Sequence, residues 1–185
     1  SKMIAIKRFF LFPIVIFLLW FVLRFFHKRT FSSIISWNGK FRWRRFFLGI
    51  GVVLFLSLIF FVINYLIFPD NFELIWELKW FLYLIPVLII LTIQVMAEEL
   101  FFRGYLMQTV GYLTRNNVII LIIPSVLFAL AHSFNPESNS YGFIAMLIYF
   151  TLGIFLSIIT LLDKGIEIAF GFHLANNFLA GMFVT

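Results

Sequence analysis

Residues 46–68 read FFLGIGVVLFLSLIFFVINYLIF, an apolar run without one Asp, Glu, Lys or Arg. A helix needs about 20 predominantly apolar residues to cross the hydrocarbon of a bilayer, and this run supplies them. Further apolar runs at 9–26, 80–97, 118–131, 142–162 and 166–184 extend the pattern along the chain. The expected fold is therefore all-α, a multi-pass transmembrane helical bundle with about six spanning helices. The run at 118–131 is short for a span. Composition agrees: 63% of the 185 residues are hydrophobic and 12% are charged, against about 45–50% and about 25% in a soluble domain. So few charges cannot cover a water-facing surface, which excludes an ordinary soluble globule, and the hydrophobicity excludes disorder. With no Cys, disulfides, thiolate metal sites and a Cys nucleophile are excluded as well.

The charges are as uneven as the hydrophobicity. Ten of the 14 Lys and Arg lie between Lys2 and Arg45, a stretch with no Asp or Glu. Within it, Lys40, Arg42, Arg44 and Arg45 alternate with Phe41, Trp43 and Phe46 directly before an apolar run, the arrangement of a membrane-surface anchor. Nucleic acid is not an expected partner; membrane lipids are. Basic loops stay cytoplasmic, which places the loop 27–45 inside at the cell membrane, the acidic loop carrying Asp70, Glu73 and Glu77 outside, the turn beside Arg115 inside, 135–140 outside and the Asp163–Lys164 turn inside. Lys2, Lys7 and Arg8 then fall outside, outnumbered by the loop that follows. There is no repeat, no linker and no small-residue cleavage site after the first apolar run. The expected organisation is an N-terminal part, 1–79, of membrane helices and basic interfacial loop, and a core, 80–185. The chain lacks an initial Met and ends inside an apolar run, so it is expected to be part of a longer protein.

A charge near the bilayer centre is costly and usually marks function. Beyond Lys79 the residues needing a reason are Glu98, Glu99, Arg103, His132 and His173, with Asn177 as a polar companion. Glu137 and Asp163 read as solvated loop residues, and Glu167 as an acid at the positive end of the last helix. Glu99 and Arg103 are four apart, Glu first, the favourable order for an ion pair, which leaves Glu98 without an intrahelical partner. If the helix runs on to a turn centred on Arg115, Glu98 and His132 each lie 17 residues from that centre. An antiparallel hairpin then sets them at one height, roughly 20–25 Å from the turn. His173 and Asn177 share a helix face, with Asn176 beside them, and approach the same level from the Asp163–Lys164 turn.

Glu beside His is a general-base arrangement; it would activate water against a carbonyl while His173 and Asn177 donate to the developing oxyanion. The same Glu98, His132 and His173 would equally serve as two-His, one-carboxylate ligands of a divalent metal such as zinc. Spacing does not choose between them. It also leaves open a non-catalytic membrane interaction protein in which these groups are interhelical glue, and a small transporter whose Glu and His carry protons. No His-Glu-x-x-His, no Gly-x-Ser-x-Gly and no pair of membrane aspartates is present.

Glu98-Glu99-x-x-x-Arg103, Phe128-x-x-x-His132 and His173-x-x-x-Asn177, in order and each on an apolar helix, resemble the signature motifs of the CAAX prenyl endopeptidase and bacteriocin-processing (Abi) family of membrane proteases. The resemblance covers 80–184. It implies a membrane-embedded endopeptidase in which Glu98 activates water with His132, His173 and Asn177 form the oxyanion site, and Glu99, Arg103 and Phe128 shape the site. It implies a peptide or protein substrate, lipid-modified in the prenylated CAAX case, and admits bacteriocin self-immunity as the non-catalytic alternative. The family has been described both as metalloproteases and as metal-independent glutamate proteases. Asn177 favours the second, because a carboxamide suits an oxyanion donor better than a metal ligand.

Overall fold

The computed structural model describes residues 2–72 and 78–183, and it is an all-α bundle of membrane helices. The loop acids Glu73 and Glu77 lie outside the described residues. The first helix, α1 (Lys2–Phe21), ends in a π turn over Val22–Phe26, and a short 3₁₀ turn (Phe31–Ile34) follows in the basic loop. Then come α2 (Trp43–Ile67), a 3₁₀ turn at Pro69–Asn71 and α3 (Leu78–Glu99). A π-helical stretch, Leu100–Leu106, carries α3 without a break into α4 (Met107–Leu113). The remaining elements are α5 (Asn117–Ala131), α6 (Pro136–Tyr141), α7 (Phe143–Asp163) and α8 (Glu167–Phe183).

Each apolar run forms a helix, but their lengths differ. Among the described residues, Trp43–Ile67, Leu84–Leu113 and Phe143–Asp163 are long and apolar enough to cross a membrane alone, while Leu11–Phe26 and Asn117–Ala131 are shorter. Local signals set the ends. The Asn116 side chain caps α5 by accepting from the Val118 N–H at 2.9 Å. Pro136 opens α6, where a missing N–H costs nothing. Lys164 stops α7 in the left-handed region, φ 55°.

Phe55, Leu58, Phe60 and Leu66 of α2 are all more than half exposed; such a belt belongs in lipid. The inner faces pack in small clusters. Phe46, Val95, Phe170 and Leu174 join α2, α3 and α8. Leu19, Leu23, Ile34, Leu100 and Ile166 join α1, the basic loop, the π stretch and the start of α8. The α2–α8 crossing is close because each helix offers a glycine: a Cβ on Gly171 would run into the Phe46 carbonyl, and one on Gly49 into that of Ile168.

The basic loop packs against the helical bundle. It is stitched to the α7–α8 turn by an antiparallel bridge between Ser36 and Gly165, with Trp37 N–H donating to Lys164 O at 3.0 Å and Ile166 N–H to Ile35 O at 2.9 Å. Arg42, read from sequence as a headgroup anchor, instead donates to both Glu167 carboxylate oxygens at 2.9 and 2.7 Å and to Asp163 Oδ2 at 2.6 Å. The hydrogen bond donated to Glu167, reinforced by both carboxylate charges, raises the guanidinium pKa above its ordinary value. One sequence reading is corrected here: the Asp163 carboxylate is buried and paired rather than solvated. Glu167 stands in the first turn of α8 as expected and, with no exposed side-chain surface, is also the receptor for Arg42.

Candidate active site

Glu98 and Glu99 end α3, and Arg103 lies in the π stretch just beyond. A π turn widens the helix by one residue and re-aims the side chains that follow it, a device common at functional sites. Here it coincides with an ion pair buried on both sides: Arg103 Nη1 donates to Glu99 Oε1 at 2.9 Å, with no side-chain exposure for either residue. Arg103 Nη2 donates to the Gly153 carbonyl of α7 at 3.3 Å. Its guanidinium lies 4.4 Å from the ring centre of Phe128, a cation–π contact.

Phe128 is the hub on α5. Fully buried, it packs its ring against His132 (centroids 4.3 Å apart) and His173 (5.8 Å). Its carbonyl accepts from His132 Nδ1 at 2.8 Å. A carbonyl can only accept, so Nδ1 carries a proton there, and Nε2 is the ring nitrogen turned toward Glu98. His173 on α8 is oriented the same way, Nδ1 donating to Glu99 Oε1 at 2.7 Å. Asn177, one turn further, places Nδ2 3.2 Å from His173 Nε2.

The two Nε2 atoms converge on Glu98. Its Oε2 is 3.9 Å from His132 Nε2 and 3.7 Å from His173 Nε2. These separations exceed a direct hydrogen bond. Glu98 Oε2 is buried and has no hydrogen-bond partner among the described residues. The expected equal height of Glu98 and His132 thus holds to within contact distance, and His173 and Asn177 reach the same place from α8.

The structure brings together all seven residues singled out from sequence: Glu98, Glu99, Arg103, Phe128, His132, His173 and Asn177. Asn176, expected to flank them, is exposed. Glu98 does have an intrahelical partner, since Gln94 Nε2 donates to its Oε1 at 3.1 Å. Gln94 was legible, four residues before Glu98 on the same helix face. Tyr149 was not, because nothing local links α7 to His132. Its ring lies 4.4 Å from that of His132, and its hydroxyl meets Asn135 Nδ2 at 3.1 Å and Glu137 Oε2 at 3.4 Å, tying the loop after α5 to α7.

Among the described residues, no group of three or more His, Asp or Glu side chains is arranged to hold a metal ion. The nearest set, Glu98, His132 and His173, does not fit one, because the lone pair that His173 would offer already faces the Asn177 N–H.

Residues 78–179, which hold the whole constellation, match the family described as type II CAAX prenyl endopeptidase, Rce1-like. Among curated proteins, the uncharacterized protein YyaK of Bacillus subtilis (strain 168) is 37% identical over 174 residues, covering 90% of this chain and 56% of YyaK. The chain therefore spans little more than half the length of that relative. No solved structure matches it.

Proposed function

The chain belongs to the type II CAAX prenyl endopeptidase, Rce1-like family, and from that premise we propose that it is a membrane-embedded endopeptidase that hydrolyses a peptide bond by Glu98-activated water, without a metal. The observation that carries this reading is the convergence of Glu98 Oε2 on the Nε2 atoms of His132 and His173 at 3.9 and 3.7 Å. Glu98 takes a proton from water as the water oxygen bonds to the scissile carbonyl carbon, and the carbonyl electron pair moves onto its oxygen. Asn177, with one N–H on His173, donates its other N–H to that oxyanion. As the C–N bond breaks, the proton returns to the leaving nitrogen, with His132 Nε2 as the second acceptor in the relay. Glu99 fixes the His173 ring through Nδ1, Arg103 fixes Glu99, and Phe128 and Tyr149 hold the His132 ring between them.

The substrate on this reading is a peptide or protein, lipid-modified if it is a CAAX tail. Residues 80–185 are the catalytic core and 1–79 the helices and basic loop that brace it. The basic end of the bundle faces the cytoplasm. The test is cleavage of a fluorogenic prenylated CAAX peptide by purified protein in liposomes. Removing the general base in Glu98→Gln should lower the rate by about 10²–10⁴-fold with the melting temperature unchanged. A Glu98→Gln protein that cleaves as fast as wild type refutes the reading.

A further inference from the structure

Behind Arg103, between the basic loop and the ends of α4, α5 and α7, lies a cavity of about 620 Å³, within the size range of ligand sites. Glu98, His132, His173 and Asn177 do not line it. Three cations do: Arg29, Arg103 and Lys164, with no Asp or Glu on the wall. Arg29 and Lys164 differ from the two arginines of this end that are paired with acids. Arg42 and Arg45 are committed to Asp163 and Glu167. Arg29 instead donates to neutral acceptors, Gln108 Oε1 at 2.8 Å and Ser33 O at 3.4 Å. The Lys164 ammonium has no partner among the described residues. Arg103 contributes the inner wall, and its buried Nε is likewise without a partner among them. The Arg103 charge is already met by Glu99, so Arg29 and Lys164 are the two cations on this wall that no carboxylate pairs among the described residues, and with no acid on the wall they favour an anion.

The rest of the lining says what kind. Ile34, Met107 and Ile120 are buried apolar side chains facing the same space, and Trp37 at the rim is 73% exposed. Trp side chains collect at the headgroup level of a bilayer, and Trp43 begins α2 at the same end of the bundle. We propose that this cavity binds an anionic phospholipid, its phosphate taken by Arg29 and Lys164 and its glycerol and upper acyl chain lying against Ile34, Met107 and Ile120. A soluble phosphate would use the cations but not the apolar wall. The occupant sits two contacts from His173, through Arg103 and Glu99.

The test is native mass spectrometry of the full chain released from detergent after incubation with dioleoyl-phosphatidylglycerol, dioleoyl-phosphatidylcholine or inorganic phosphate, with circular dichroism melting as the folding control. Wild type should retain phosphatidylglycerol in preference to phosphatidylcholine. Arg29→Gln/Lys164→Gln should weaken that retention by about 30-fold, from the usual contribution of two surface cations. Lys40→Gln/Arg44→Gln, which removes the same charge from exposed positions outside the cavity, should leave it unchanged. Gly111→Leu fills the cavity with every charge intact and should also abolish retention; a Cβ there meets Ile120 Cδ1 only at an ordinary 3.6 Å. The proposal is overturned if Arg29→Gln/Lys164→Gln retains the lipid undiminished, if both double variants lose it equally, or if inorganic phosphate displaces it mole for mole.

Discussion

Replacing Arg103 by Met removes one partner of a buried ion pair. Both side chains have no exposed surface, so the Glu99 carboxyl would be left with only the His173 Nδ1–H at 2.7 Å against it. Stranding one member of a buried pair costs about 3–5 kcal/mol, a large part of the roughly 5–15 kcal/mol that holds a domain folded. Loss of the cation–π contact with Phe128 at 4.4 Å adds about 0.5–2 kcal/mol. Met is close to the arginine stem in volume, so little is added for a void. Glu99→Leu/Arg103→Met removes the stranded charge and should return most of the lost stability, because apolar replacement of a whole buried pair is often neutral or better. It should not return cleavage. His173 Nδ1 loses its acceptor in the double variant, and a misplaced ring costs about 10²-fold or more in rate. The assays are urea unfolding in micelles followed by near-ultraviolet circular dichroism, and peptide cleavage on the same preparations. The reasoning fails if Arg103→Met unfolds at the wild-type midpoint, or if the double variant regains both stability and cleavage, since Glu99 would then have no part in placing His173.

The loop clamp makes a second prediction: Arg42→Gln should destabilise by about 3–5 kcal/mol and expose the chain near Lys40 to trypsin, and Arg42→Lys should rescue it only partly because an ammonium cannot fork to Glu167 and Asp163 together. An unchanged trypsin pattern would mean the loop is held by the Ser36–Gly165 bridge alone. At the α2–α8 crossing, Gly171→Ala drives a methyl into the Phe46 carbonyl and should cost about 1–3 kcal/mol, whereas Gly181→Ala, with open space around its Cβ, should be neutral or stabilising in a thermal melt. Protein dialysed against EDTA and checked by elemental analysis should cleave as well as untreated protein; activity lost with the metal and regained on adding zinc would mean that His173 Nε2 turns from Asn177 to a ligand role.

What could be read before any coordinates was set by scarcity and by period. In a chain with so few charges, the ionisable groups inside apolar runs stand out, and the helical repeat says which of them share a face. Glu99 with Arg103, and His173 with Asn177, are four-residue relations and came out as expected. Glu98 opposite His132 needed only one further assumption, an antiparallel hairpin about Arg115. The misses share a different geometry. Arg42 and Glu167 are 125 residues apart, and no local period relates a loop arginine to an acid at the start of the last helix. Arg42 therefore defaulted to a headgroup anchor and Asp163 to a solvated loop residue, while Glu167 was rightly placed at the start of its helix but without its partner. Tyr149 was missed for the same reason, since an aromatic residue on an apolar helix gives no sign of which ring it will meet. The same contrast bears on the cavity. Once Arg42 and Arg45 are known to be neutralised by Asp163 and Glu167, the basic end of the bundle is no longer a uniform positive patch. Its unneutralised cations include Arg29 and Lys164, which line the same cavity, and that selectivity is a property of the fold that the count of basic residues could not reveal.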